Sequence, residues 1–286
     1  MTTLQADREI VLVDCPDAVG LIHRITGVLE KRRLNIESNH EFVDTGAGHF
    51  FFRAEVVPAG PPVPAAALEA DLAAVLPSGA RVRVTRQDRR PIVVCATREP
   101  HCLGELLLLD ACGELPGRIV GVVSNHDVLR GLVERFGVPF HHVSHEGVSR
   151  DAHEAAFGAA IDGHAPEYVV LARYMRVLSE KFIDRYPNRI VNIHHSFLPA
   201  FAGASPYRQA YGRGVKVIGA TAHFVTAELD DGPIIAQDVT PVDHTFTPER
   251  MAQAGRDVEK LVLARAVRLV LEERVFLHGR RTVVFG

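Results

Sequence analysis

Two patterns of hydrophobic and polar positions divide the chain near residue 88. In the first pattern, short apolar runs alternate with a segment whose apolar residues recur at helical spacing: Leu21, Ile22, Ile25, Val28 and Leu29. Over residues 8–57 this predicts strand, turn, helix, strand and strand, and a helix near 66–75 and a strand over 81–85 follow. A β-α-β-β-α-β order is typical of a ferredoxin-like α+β domain, which we assign to residues 1–87.

From residue 88 onward, continuous apolar runs alternate with helical segments. The predicted strands are 92–96, 119–124 and 168–172, and the predicted helices are 101–113, 126–136 and 150–162. Such strands indicate a mostly parallel sheet covered on both faces, so residues 88–286 are predicted to form a Rossmann-like α/β domain. A long amphipathic helix over 248–273 and a hairpin around Gly279 complete the pattern.

Composition and charge narrow the class of protein. The 286 residues are 47% hydrophobic and 23% charged with a formal net charge of −3, which is typical of a globular chain of two domains. No apolar run approaches a membrane span, and the first residues lack the pattern of a secretory signal. Slight acidity disfavours a nucleic-acid partner. Four scattered cysteines indicate reduced thiols, so we expect a cytoplasmic protein without membrane association.

The main candidate for chemistry is the segment Asn192-Ile-His-His-Ser-Phe-Leu-Pro199. Asn192 and His194 are two positions apart on a predicted strand, so their side chains share a face. Further along the chain, Leu229-Asp-Asp-Gly-Pro233 offers a carboxylate. A carboxamide, an imidazole and a carboxylate near a strand end suit acid–base chemistry. The alternative is that the Asn caps a turn and the Asp precedes a turn glycine.

These motifs carry a resemblance to a known family. Asn-x-His, Ser-x-Leu-Pro and Leu-Asp-x-Gly-Pro-Ile-Ile resemble motifs of the folate-dependent formyltransferase family, over residues 90–286. Within it, NIHHSFLPAFAGASPY, GATAHFVTAELDDGPIIAQDV and VFLHGRRTVVF look like the formyltetrahydrofolate deformylases. The first-domain segment VDCPDAVGLIHRITGVLEKRRLNIESNHEF is similar to an ACT regulatory domain, and an ACT domain before a formyltransferase fold is the arrangement of those enzymes.

The resemblance implies a hydrolase that converts 10-formyltetrahydrofolate to formate and tetrahydrofolate, with a place in one-carbon metabolism and purine biosynthesis. It implies that Asn192, His194 and Asp230 are catalytic, with Asp231 at the variable position of the motif. Either His194 or Asp230 can carry the proton steps. The family needs no cofactor and no metal.

The resemblance also places the folate. The residues expected to bind it are Met175, Arg176, Val177, Leu178, Leu229 and His223. The first four would hold the pterin through backbone groups and apolar contacts, and His223 would support the site. For each of these side chains the alternative is packing in a strand-to-helix loop. His195 would point away from His194 if the strand continued, and a structural role is then as good an interpretation as a functional one.

Water is favoured as the formyl acceptor by the segment Ala96–Leu103. Related transferases carry a Gly/Ser/Asn-rich loop there that binds a ribose phosphate. This chain has Glu99, whose negative charge would repel a phosphate, and Pro100, which has no N–H to donate to one. Cys102 is expected to be a packed helix residue, and the His141-His-Val-Ser-His145 segment is not expected to bind metal. The rival functions are formyl transfer to an amine or nucleotide, and an inactive folate or amino-acid sensor.

The ACT-like segment predicts regulation. Asp17, Gly20 and Leu21 lie in the turn where such domains hold an amino acid, and Asn35–Asn39 is a further candidate for the same interface. The alternative is that the domain only joins subunits. We expect a homo-oligomer, either a dimer or a tetramer, with a folate substrate and an amino-acid effector as its partners.

Overall fold

The chain divides into two compact units in a computed structural model that describes residues 8–86, 88–200 and 206–286. One unit comprises the chain up to Asp88 together with Phe285–Gly286, and the other comprises Arg89–Val284. Residue 87, at the predicted boundary, and motif residues 201–205 lie outside the described residues. Among the helices that the structure describes, none has both the length and the hydrophobicity to span a bilayer.

The first unit is a four-stranded antiparallel sheet with two helices. Its elements are β1 (Glu9–Pro16), α1 (Leu21–Lys31), β2 (Leu34–Asp44), β3 (His49–Pro58), α2 (Ala65–Val75) and β4 (Arg81–Arg86). The strand order is β2-β3-β1-β4, so the predicted ferredoxin-like fold is confirmed. Alternate residues of β1 and β3, such as Val13 and Phe52, pack against Ile25 and Leu68 from the two helices.

The second unit is built on a seven-stranded sheet of order β11-β10-β9-β8-β5-β6-β7. Its strands are β5 (Arg90–Ala96), β6 (Gly117–Ser124), β7 (Phe140–His142), β8 (Tyr168–Leu171), β9 (Ile190–His194), β10 (Val217–Phe224) and β11 (Ile234–Pro241). Its helices are α3 (His101–Ala111), α4 (Arg130–Glu134), α5 (Arg150–Asp162), α6 (Glu180–Ile183), α7 (Pro206–Arg213) and α8 (Pro248–Leu271). A separate hairpin pairs β12 (Val275–His278) with β13 (Arg281–Val284).

Both faces of this sheet are covered, as its apolar strands predict. On β5, Ile92 and Val94 belong to the core under α3 and α8, while Val93 and Cys95 belong to the core under α5 and α6. Strands β5 to β9 are parallel, and β10 is antiparallel to both of its neighbours, β9 and β11. Strand β11 therefore runs in the same direction as β5 to β9, and the prediction of a mostly parallel sheet is confirmed.

The helix predicted over 126–136 is shorter than expected, because only Arg130–Glu134 is helical. The preceding residues form turns in which the Ser124 hydroxyl accepts a hydrogen bond from the His126 amide at 3.2 Å. Short polar side chains of this kind compete with helical backbone bonds. The apolar spacing of the segment therefore did not decide its backbone conformation.

Candidate active site

A cavity of about 490 Å³ lies at the carboxyl ends of β8 and β9, beside the point where the strand order of the larger sheet changes direction. After β5 the chain proceeds to β6 and β7 on one side, and then returns to β8 and β9 on the other, which is where open α/β sheets bind ligands. The cavity is lined by parts of segments 171–178, 183–195 and 223–230. All nine residues that the sequence assigned to catalysis or folate are on its wall.

Asn192 and His194 enter this cavity from the same face of β9, while Val191 and Ile193 point into the core. His194 is 5% exposed, and its Nδ1 lies 3.2 Å from Oδ1 of Asp230. That hydrogen bond holds the pKa of the Asp230 carboxyl below its ordinary value. The Nε2 atom of His194 is buried without a hydrogen-bond partner among the described residues, so it is the ring nitrogen that the Asp230 contact leaves unused.

The loop between β10 and β11 turns Asp230, and not Asp231, toward His194. Asp230 has a left-handed backbone with φ of 56°, and Gly232 lies so close to the chain that an added Cβ would be 1.7 Å from the Phe224 carbonyl oxygen. The half-exposed Asp231 pairs instead with Arg280 on the terminal hairpin. The two neighbouring carboxylates therefore have separate surroundings.

His223 holds the Asn192 amide in place. The two residues are register partners on β10 and β9, and Asn192 Nδ2 lies 3.2 Å from His223 Nε2. On the other side of the ring, Nδ1 lies 2.9 Å from the Phe224 carbonyl oxygen, which requires an N–H there and leaves Nε2 as an acceptor. Burial lowers the pKa of His223, in keeping with this neutral ring. One N–H of the Asn192 amide is used, and the other remains for a ligand.

Apolar side chains form the mouth of the cavity. Met175, Val177 and Leu229 are 56%, 58% and 64% exposed, and together on one cavity wall they offer apolar surface to a ligand. Arg176 is half-buried at the wall and forms no ion pair within the described ranges. Leu178 is different, because it is buried in the core around Phe182, so packing accounts for most of its surface.

The backbone of the 172–179 loop is fixed by three side chains that the sequence analysis did not single out. Thr97 Oγ1 accepts a hydrogen bond from the Met175 amide at 3.0 Å, and Arg150 donates to the Val177 carbonyl at 3.0 Å. Glu154 accepts from the Ser179 amide at 2.9 Å. Arg150 and Glu154 are four residues apart on α5, and in the sequence this spacing reads as an ordinary surface pair.

His195 lies beside Asn192 and His194 on the wall of the same cavity. Strand β9 ends at His194, so the strand alternation does not apply to the next residue, and His195 also lines the cavity. Its ring centre lies 5.2 Å from that of His194 and 6.0 Å from that of Tyr207. Burial, with the Arg173 guanidinium nearby, lowers the pKa of His195 to about 4.

A second cavity of about 420 Å³ adjoins the first and shares Arg173, Met175 and His195 with it. The wall includes Glu259, which is 1% exposed and accepts from Tyr207 OH at 2.5 Å. The other carboxylate oxygen of Glu259 lies 2.8 Å from His101 Nε2 and 3.3 Å from Arg173 Nε. No sequence pattern predicts this cluster, because Glu259 occupies one polar position of the long amphipathic helix α8.

Within the described part of the chain, one group of three side chains has metal-ligand spacing: His101, Cys102 and Glu259. The hydrogen bond between His101 and Glu259 already uses two of the three donor atoms. Cys102 is buried in the core, and burial raises its thiol pKa well above the ordinary value. The contacts of Glu259 with His101 and Arg173 therefore account for this group as a network of polar side chains.

Glu99 and Pro100, the two residues on which the sequence argument about the acceptor depends, directly precede α3. The helix begins at His101 without a side-chain cap, preceded by Pro100, and Glu99 lines the second cavity. Glu99 and the buried Glu259 thus place negative charge on the same wall.

The residues predicted to bind an effector occupy one turn of the first unit. Gly20 has φ of 84° and open space where a Cβ would be, and Asp17 is exposed beside it. The Leu21 side chain is instead buried in the core, so Leu21 can offer a ligand only its backbone. Asn35 and Asn39 are exposed on β2.

Comparison with known proteins identifies both units. A formyl transferase family model matches residues 90–267, and an ACT domain model matches residues 10–73. The formyltetrahydrofolate deformylase of Escherichia coli (strain K12) is 53% identical over 277 residues, which are 97% of this chain and 98% of that protein.

Solved structures agree with the sequence comparison. A formyltetrahydrofolate deformylase from Pseudomonas syringae pv. tomato superposes with a TM-score of 0.94 at 39% identity, over 99% of this chain and 96% of that one. A glycinamide ribonucleotide transformylase from Symbiobacterium toebii has a TM-score of 0.67 at 34% identity, over 73% of this chain and all of that one. The deformylases from Escherichia coli and Pseudomonas syringae match nearly the whole chain, and the chain therefore belongs to the formyltetrahydrofolate deformylase family.

Proposed function

We propose that this enzyme hydrolyses 10-formyltetrahydrofolate to formate and tetrahydrofolate in the larger cavity. The observation that carries the proposal is the buried His194 ring on the same cavity wall as Asn192. Its Nδ1 contacts the Asp230 carboxylate, and its Nε2 has no hydrogen-bond partner among the residues that the structure describes. Such a set supports both charge stabilisation and proton movement at one carbonyl. The folate would lie against Met175 and Leu229, with Arg176 available to its polar groups.

In this proposal, a water oxygen forms a bond to the formyl carbon and the carbonyl electron pair moves to its oxygen. The free N–H of Asn192 and the Nε2 side of His194 stabilise that oxyanion. When the bond from carbon to N10 breaks, one water proton ends on N10 and the other is released as formic acid ionises. Asp230 orients His194 and stabilises its protonated form, so the proton passes through the ring.

A single assay separates this function from its rivals. Purified enzyme is incubated with 10-formyltetrahydrofolate alone, and formate and tetrahydrofolate are measured over time. Equal release of both products without an added acceptor supports hydrolysis. Turnover that requires an amine or glycinamide ribonucleotide contradicts it and indicates a transferase. Binding without turnover in either condition indicates a sensor.

The regulatory part of the proposal concerns the first unit. An amino acid would bind at the exposed turn that contains Asp17 and Gly20, where the open space beside Gly20 leaves room for a ligand. Isothermal titration with a panel of amino acids, on the enzyme and on Asp17→Ala, tests this. Heat release from one amino acid that disappears in the variant supports the effector site, whereas no binding by any amino acid refutes it.

The same proposal includes a homo-oligomer, a dimer or tetramer, in the cytoplasm. All four cysteines are free thiols, and three of them are buried, which suits a reducing compartment. Sedimentation equilibrium on the full chain measures the subunit number, and a monomer at micromolar concentration would contradict the assembly.

A further inference from the structure

The proposed hydrolysis leaves open how water reaches the formyl carbon. The larger cavity opens through Met175, Val177 and Leu229, which are apolar and are the wall that the folate would cover. His194 and Asp230 are buried on the inner side. A water molecule that attacks a bound folate must therefore come from another direction.

The second cavity provides that direction. It adjoins the first at Arg173, Met175 and His195, and charged side chains line much of the remaining wall. Those charged residues are Glu99, Arg208, Glu249, Arg256 and Glu259. A recess of about 420 Å³ with such walls is hydrated, because charged groups retain water and an empty cavity needs an apolar lining.

His195 lines both cavities and stands at the boundary between them. Among the residues that the structure describes, its ring makes aromatic contacts with His194 and Tyr207 and no hydrogen bond. The charged groups around it belong to different elements: Arg173, His194, Asp230 and Glu259. Tyr207 packs against the His195 ring and donates a hydrogen bond to Glu259, so these two residues restrict the movement of the ring.

We infer that His195 binds the attacking water and holds it against the formyl carbon, and that the second cavity supplies this water. The inference rests on the proposed hydrolysis and adds to it the group that selects the nucleophile. The neutral ring accepts a hydrogen bond from the water, whose oxygen then forms the new bond to carbon. The bonds that break and the final positions of the protons are those of the hydrolysis above. Tyr207 and Glu259 are positioning residues, because they act through His195.

His195 is better suited to bind a water molecule than to remove a proton from it. Its pKa is lowered to about 4, so the ring is an acceptor near neutral pH but a weak base. His194, with its carboxylate partner, is the better group for proton transfer. The two adjacent histidines therefore have different tasks.

The test compares His195→Ala, His195→Gln and the enzyme itself, with kcat measured by formate release and tetrahydrofolate affinity by calorimetry. We expect the alanine variant to lose about 100-fold in kcat while its affinity for tetrahydrofolate changes less than about twofold. Imidazole added at millimolar concentration should restore part of the rate, since it can enter the vacated space. Glutamine, which keeps an acceptor atom, should retain more activity than alanine.

A second variant tests the water route independently. Ala252 lines the second cavity but not the first, so Ala252→Phe should lower kcat by about tenfold without weakening folate binding. Leu261→Phe, on an exposed face of the same helix α8 and outside both cavities, is the matched control.

Three results would overturn the inference: alanine turnover within about threefold of the enzyme, equal losses in kcat and tetrahydrofolate affinity, or no rescue by either imidazole or glutamine. Unchanged turnover in Ala252→Phe would refute the water route. If the unaltered enzyme releases no formate, the proposed function itself fails. If the unaltered enzyme releases formate and His195→Ala releases it at a similar rate, the proposed function stands and only the inference about His195 fails.

Discussion

Replacing Asp230 by asparagine removes one charge and keeps the shape of the side chain. Asp230 accepts from His194 Nδ1 at 3.2 Å, and both side chains are largely buried. Opposite charges about 3 Å apart interact by about 5 kcal/mol at an effective dielectric constant of about 20. Measured net contributions of hydrogen bonds to charged groups are smaller, about 1.5–3 kcal/mol. We take about 2–3 kcal/mol, which corresponds to about a 30- to 150-fold fall in kcat.

The assay is formate release at saturating 10-formyltetrahydrofolate, with tetrahydrofolate affinity measured in parallel. Asp231→Asn is the matched control, because this exposed neighbour pairs with Arg280 outside the cavity. Exposed pairs contribute little, so the control should keep its turnover within about twofold. Turnover of Asp230→Asn within about threefold of the enzyme, or an equal fall in Asp231→Asn, would refute the assignment of the carboxylate.

Three further predictions concern the surroundings of this pair. His223→Ala should lower kcat by about tenfold, because the Asn192 amide loses the partner that orients it, and steady-state kinetics with His223→Gln as a control measures this. Gly232→Ala should destabilise the fold by about 1–3 kcal/mol in urea unfolding, since its Cβ would meet the Phe224 carbonyl, whereas Gly131→Ala, with open space, should not destabilise it. The pKa of His195 is about 4 in the folded protein, below its unfolded value of about 6.5. As the pH falls from about 6.5 to about 4, the unfolded chain therefore binds a proton at this residue before the folded protein does, and the free energy of unfolding decreases. Urea unfolding at pH 7 and 4.5 should therefore show a smaller loss for His195→Phe than for the enzyme, and equal losses would contradict the assigned cause.

Much of the candidate site could be predicted from local pattern. The two-residue spacing of Asn192 and His194 on a strand defines a shared face, whatever the sheet around it. The resemblance to the family motif Leu-Asp-x-Gly favoured Asp230 over Asp231, and the structure shows the reason for Gly232 in its close approach to Phe224. These features depend on a few consecutive residues, and such information is present in the sequence.

Other features depend on residues far apart in the chain. The contact between His101 and Glu259 joins residues 158 positions apart, and no periodicity marks either of them as a partner of the other. The orientation of His195 stayed open for a related reason: the end of β9 at His194 is set by tertiary structure, and the sequence alone does not show whether the strand alternation reaches residue 195. The pairing of His223 with Asn192 depends on the register between β10 and β9, which the sequence alone does not fix.

The choice of acceptor is best understood as a property of the second cavity and not of the fold. The Symbiobacterium toebii transformylase shares the larger unit's fold at a TM-score of 0.67. In this chain, the charged groups on the cavity wall are three carboxylates and three guanidinium groups: Glu99, Glu249, Glu259, Arg173, Arg208 and Arg256. Arg173 is already committed to the buried Glu259. A phosphate-bearing acceptor would need an excess of positive charge there, whereas a balanced set retains water without favouring an anion. Under the proposed function, the carboxylates of Glu99 and Glu259 would disfavour a phosphate-bearing acceptor at the place where His195 would hold water.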